Sequence, residues 1–206
     1  TVKSKELVNQ VEFYVNDDLR DTDSSTPYEF SLDTLAEKEG DIQVTFAAYT
    51  TEGTSAKKTL KLKIDNGLAQ GVQHFVDKGN EALTARKWDE AIQQGRIALK
   101  IQADSNPARM VMAKAHYGKG VYDQAQKYAE DIVATEPANF EALDLLSAIN
   151  LSRGFNTFNR GGERSQTLES LRNAISSAAK NRAQVFEIRL NQIGAATDAN
   201  RIELAD

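Results

Sequence analysis

The chain has 206 residues, 40% of them hydrophobic, and a formal net charge of −5, enough for one large domain or two small ones. Up to Asn66 it carries 8 Lys/Arg against 13 Asp/Glu, and beyond that 17 against 17; an acidic segment followed by a neutral one, without a basic run, argues against a nucleic-acid partner. With no cysteine there is neither disulfide nor thiolate metal site, and no apolar stretch reaches the roughly 18 residues of a membrane span.

The sequence begins at Thr1 rather than methionine. Any leader or lipid anchor would then already have been removed. From Val11 to Ile64 apolar residues alternate and β-branched and aromatic side chains are frequent, which predicts half-buried strands. Four runs stand out: Val11–Val15, Tyr28–Leu32, Ile42–Tyr49 and Thr59–Ile64, with Val2–Leu7 a further candidate. The stretches between them are rich in turn formers. Short strands at close spacing predict a sandwich. The aspartates 17, 18, 21 and 23 fall between two of these runs. They lack the glycine and distant glutamate of a calcium loop, so a solvated turn is expected.

Three stretches, V-E-F-Y-V-N-D-D-L, T-P-Y-E-F-S-L-D-T and G-D-I-Q-V-T-F-A-A-Y-T-T-E-G, resemble the small immunoglobulin-like modules of bacterial surface and secreted proteins. The resemblance covers roughly residues 1–66. It implies a β-sandwich and a place in the cell envelope, the periplasm or outside the cell, with the cytoplasm left open. Such a sandwich has about seven strands, so this one is expected to be incomplete, its leading strands absent.

Near Asp65–Gly67 the pattern switches from alternation to helical spacing. Helices are predicted at Gln73–Ala85, Trp88–Ile101, Asn106–Gly118 and Tyr122–Thr135, with Pro137 closing the second pair. One pattern occurs twice, from Gly79 to Ile92 and from Ala113 to Gln126, so that Trp88 answers to Tyr122 and Ala91 to Ala125 at the same interval. That interval, about 34 residues, is the period of the tetratricopeptide repeat (TPR), and residues 67–206 resemble a TPR-like α-solenoid. The repeats are expected at about 72–105, 106–139 and 140–181. Gly79, Ala91, Ala98, Ala113, Ala115 and Ala125 would be the small contacts, with Phe75, Trp88, Tyr122 and Tyr128 as the large knobs against them. Gly95, Ala129 and Ile132 depart from the family pattern. The third repeat has an insertion at 154–164, G-F-N-T-F-N-R-G-G-E-R, and its second helix is expected only at Ser165–Lys180. A capping helix at about 183–193 would bury Val185, Phe186, Ile188, Leu190 and Ile193. The tail from Gly194 is too short and polar to assign.

No catalytic, cofactor or metal constellation emerges. His74 and His116 are the only histidines, far apart in sequence on different predicted helices, with no triad or metal-ligand spacing around them. The expected role is non-enzymatic: a scaffold that binds a protein or peptide partner of unknown identity in the concave face. In the family this segment resembles, ligands lie along the first helix of each hairpin. By that likeness the lining positions are Gln73, Val76, Asn80 and Leu83, then Met110, Lys114 and Tyr117, then Glu141, Asp144 and Ala148. Relatives that capture a terminal carboxylate pair a lysine with an asparagine; here Asn80 is in place, but Val76 holds the lysine position and Asp144 brings the wrong sign. Apolar anchors with a few hydrogen bonds are expected instead. The rival reading is an accessory carbohydrate-binding or adhesive region of a larger exported protein, the helices serving as a spacer and Phe13, Tyr28 and Phe30 offering rings for sugars to stack on.

Overall fold

The computed structural model describes residues 6–161 and 164–195, and the chain divides into two compact units, Thr1–Leu68 and Ala69–Asp206. The first is a β domain and the second is all-α.

In the β unit, β1 (Val8–Val15), β2 (Asp18–Asp23), β3 (Gly40–Thr50) and β4 (Ser55–Ile64) form one antiparallel sheet in the order β2-β1-β3-β4. The β1–β2 connection is only Asn16 and Asp17, both left-handed at φ 50° and 68°, with Val15 opposite Asp18. Two positive φ angles in a two-residue loop define the turn whose twist suits a hairpin, and Asn and Asp tolerate them. The aspartate-rich stretch expected as a turn is therefore mostly strand. Asn16 also ties this turn to β3, donating its N–H to the Gln43 carbonyl at 2.8 Å and accepting the Gln43 N–H on its side chain at 2.9 Å.

Tyr28–Leu32, expected as a strand, joins no ladder. It crosses the sheet face instead. Phe30 and Leu32 pack on a core of Phe13, Val15, Ile42, Val44 and Ile64. The Phe30 ring stacks on Phe13 at 5.3 Å between centroids, and the Tyr28 hydroxyl donates to the Val8 carbonyl at 2.9 Å. The alternation marked burial, here satisfied by covering a sheet rather than extending one. Val2–Leu7 falls largely outside the described residues, and Leu7 itself is exposed and not in a strand.

On the opposite face Glu12 accepts from the Tyr14 hydroxyl and from Gln10. Hydrogen bonds from Tyr14 and then Tyr49 hold its carboxyl below the usual range, and the same contact pushes the Tyr14 phenol up. β4 lies at the end of the strand order. It sets Leu60 and Leu62 opposite the buried Val44 and Ile42, yet both leucines are exposed, at 41% and 46%, among Lys57, Lys58, Lys61 and Lys63.

The helical unit opens with a short 3-10 turn at Leu68–Gln70, then α1 (Val72–Thr84), α2 (Trp88–Ile101), α3 (Asn106–Gly118), α4 (Tyr122–Thr135), α5 (Phe140–Arg160) and α6 (Arg164–Ala195). The first four fall within a residue of their expected bounds. The hairpins repeat in backbone detail as well as in sequence. α1 ends with Lys87 N–H to Ala82 C=O and Arg86 N–H to Leu83 C=O; α3 ends with Val121 to His116 and Gly120 to Tyr117, each partner one repeat further on. This double closure needs a left-handed residue. Gly120 supplies it at φ 75°, and Arg86 adopts it at 57°. Likewise Ser105 caps α3, and Asn139, its equivalent in the next repeat, caps α5. Ala91, Ala98, Ala113, Ala115, Ala125 and Ala129 are fully buried. Where α1 and α3 meet, a β-carbon on Gly79 would come within 2.6 Å of Val111.

Two expectations for the third hairpin need correction. The 154–164 insertion is not a loop, since α5 runs two further turns to Arg160 and stops at Gly161, where φ is 77°. The extension is held to α4: Arg153 binds Asp123 at 2.6 Å and Gln126 at 2.8 Å, and Asn156 donates to the Tyr122 hydroxyl at 3.2 Å. Residues 162 and 163 lie outside the described residues. Nor is there a separate capping helix, because α6 is one helix of 32 residues. Its inward positions, Thr167, Leu171, Ala174, Ala178, Val185 and Ile188, keep helical spacing through Lys180–Arg182, where no breaker interrupts them. Phe186 and Leu190, expected inside, are exposed, while Ile188 and Ile193 are half-buried. The Ser147 hydroxyl, fully buried, donates to the Ala178 carbonyl at 3.1 Å.

Gly154 sits at this helix crossing, where a β-carbon would run into the methyl of Ala174. Gly→Ala inside a helix usually stabilises by about 0.5–1 kcal/mol. Here overpacking costs about 1–3 kcal/mol and wins. Gly154→Ala is therefore expected to lower the denaturant midpoint of the helical unit, and a raised midpoint would show that α5 and α6 do not cross so closely.

Candidate functional site

α1, α3 and α5 are the first helices of three successive hairpins, so positions one repeat apart on them should recur along one face. They do so around a cavity of about 430 Å³ lined by Val76 and Asn80 of α1, Asn106, Pro107, Met110 and Lys114 of α3, Glu136 and Asn139 between α4 and α5, and Glu141 of α5. Val76 and Met110 are equivalent positions, as are Asn80 and Lys114, and Pro107 and Glu141. Five of the ten lining residues expected from the family likeness, Val76, Asn80, Met110, Lys114 and Glu141, thus meet in one hollow.

The polarity differs from the expectation. Val76 and Met110 are 4% and 7% exposed, and Met110 packs with Ile132 and Ala142. They form the floor of the cavity, not projecting anchors. Lys114 is ion-paired with Glu141 across α3 and α5, so its charge is already matched. The remaining five expected residues lie outside the cavity lining, Ala148 among them, half-buried on α5. Gln73 donates to Asp77 at 2.8 Å on exposed α1, Leu83 is half-buried, and Asp144 is exposed on α5. The Tyr117 hydroxyl is within 3.1 Å of Ser152 Oγ, and its ring leans on Tyr122 at 5.9 Å, so Tyr117 serves mainly to join α3 to α5.

Sequence reasoning missed Asn106, Pro107, Glu136 and Asn139, the other four residues that line the cavity. Asn106 Nδ2 donates to Glu136 Oε1 at 2.7 Å, and Asn139 Nδ2 donates to Oε2 at 2.8 Å. Those two amides, Asn106 first, hold the Glu136 carboxyl below the usual range. The Asn106 amide is itself fixed: its oxygen accepts from Arg109 at 2.9 Å and its nitrogen also donates to Thr135 at 2.9 Å. The one signal in the sequence, an asparagine near the start of α3 and another just before α5, reads by itself only as helix punctuation.

The histidines stay apart. His74 meets Phe75 edge-on at 5.1 Å, and His116 stacks on Tyr128 at 5.9 Å; burial, then the Lys119 charge, pushes the His116 pKa down. No cluster of metal-ligating side chains occurs among the described residues. In the β unit, Phe13 is buried in the core, while Phe30 and Tyr28 are half-buried, the first packed on that core and the second donating its hydroxyl to the Val8 carbonyl. A further hollow of about 550 Å³ lies there, edged by Asn16, Asp17, Asp41, Lys61 and Lys63.

The site thus lies in the all-α unit that follows the β domain. Residues 1–85 match the family model described as a bacterial Ig domain. That family points to an adhesive or protein-interaction region of an envelope or extracellular protein. The match extends past the β unit through α1, and the helices beyond it carry no family match. Comparison with curated proteins and comparison with solved structures each found no match. No described helix is long and apolar enough to cross a membrane.

Proposed function

We propose that the chain is a non-enzymatic interaction protein of the bacterial envelope or exterior, in which a TPR-like solenoid holds a peptide or protein segment in the cavity between α1, α3 and α5. One observation carries this reading: equivalent positions of successive hairpins, Val76 with Met110 and Asn80 with Lys114, line a single hollow with an apolar floor and a polar rim. Such a surface suits an extended segment that buries a small apolar side chain and hydrogen-bonds along its length. The Ig-like module supports an exported setting.

Asn80 is exposed at the rim on α1, so Asn80→Arg fills the cavity mouth without touching the core. A partner captured from envelope extract by the whole chain, then purified, is expected to bind Asn80→Arg at least tenfold more weakly, while the circular dichroism melt stays within a degree or two of the parent. Equal affinity for both proteins would move the site off this cavity.

A further inference from the structure

We propose that this groove takes a cationic segment, with a Lys or Arg side chain of the bound peptide seated on the Glu136 carboxylate. The inference rests on the groove reading above and narrows it. Charge complementarity carries it. The one basic residue among those lining the cavity, Lys114, is spent on Glu141, and Asp144 adds negative charge a turn further along α5. Glu136 is in a different state: its carboxylate is gripped by two amides, one per oxygen, and no ion pair to it exists among the described residues.

A carboxylate oxygen offers two lone pairs, so each Glu136 oxygen keeps acceptor capacity after its asparagine is satisfied. The two amides fix the carboxylate in place beforehand, and a guanidinium can meet it through two parallel N–H bonds, the strong form of this contact. Placing the anion beside the apolar floor of Val76 and Met110 favours a segment in which a basic residue neighbours a small apolar one. It also disfavours a terminal carboxylate, which would face Glu136 and Glu141 with no unpaired cation in the cavity lining.

The test uses the full chain, immobilised, with a random dodecapeptide phage library as the probe, alongside Glu136→Gln and Asn80→Arg. Gln at 136 keeps the shape and one acceptor while removing the charge. The expected result is enrichment of peptides with Lys or Arg at a fixed place beside an apolar residue. That basic preference should vanish on Glu136→Gln, and a Lys→Glu change in an enriched peptide should weaken binding to the parent chain at least tenfold. Peptides that lack a basic preference but are lost with Asn80→Arg would overturn this inference and leave the groove reading standing. If no peptide is enriched, or if Asn80→Arg retains them all, both readings fall.

Discussion

Ile132→Ala is expected to destabilise the helical unit by about 2–5 kcal/mol, the range for removing a large aliphatic side chain that cannot be replaced by collapse. Ile132 is fully buried, packed with Met110 of α3 and Ala142 of α5, with Val133 and Leu145 closing round it. It thus joins three helices, and its loss opens a void where the second hairpin meets the third. Guanidinium unfolding followed by far-UV circular dichroism measures it directly. A loss under about 1 kcal/mol would mean that α4 does not wedge between α3 and α5. Ile132 is also where the helical segment departs from the tetratricopeptide pattern it resembles, which usually carries a small side chain there. The large one is accommodated because Ala142 faces it.

Trp88→Ala is the second large effect, about 3 kcal/mol, at the low end for an aromatic truncation because the indole is half-buried. The ring lies flat against the end of α3, so that a β-carbon on Gly118 would come within 2.8 Å of three of its carbons. This contact yields a sharper test than the single change. Gly118→Ala should destabilise the parent chain yet cost little once Trp88 is alanine, because the two positions are coupled through one contact. Additive losses in the double variant would show that the ring is not on Gly118.

The helical hairpins were legible because a solenoid writes its packing into the sequence at a fixed interval: small residues at the crossings, turn formers at the closures, a cap at the same place in successive repeats. The β unit was less so. Alternation shows which residues are buried, but not whether they are buried within a ladder or beneath one, so Tyr28–Leu32 reads as a strand. Asp18–Asp23 is hidden by its composition, since its strand character comes from the twist of the Asn16–Asp17 turn and not from its own side chains. Gly154 and Gly161–Gly162 make residues 154–164 read as a loop, although one of those glycines marks a close helix crossing. In the groove, the likeness to tetratricopeptide repeats pointed to Asn80, Lys114 and Glu141 but could not show that the last two neutralise each other. It passed over Glu136 because that residue lies after a helix, off the repeating face.

The edge strand β4 has a practical bearing on how the protein behaves in concentrated solution. Its leucines at 60 and 62 are exposed on a strand that also carries four lysines, and like charges along an exposed edge oppose pairing with a second copy. Repulsion of that kind reaches about 10 Å at 0.1 M salt and only about 3 Å at 1 M. Raising the salt therefore weakens whatever hindrance these lysines give to edge pairing, whereas acylating them removes it at this strand and at the same time drives the whole chain further negative than −5.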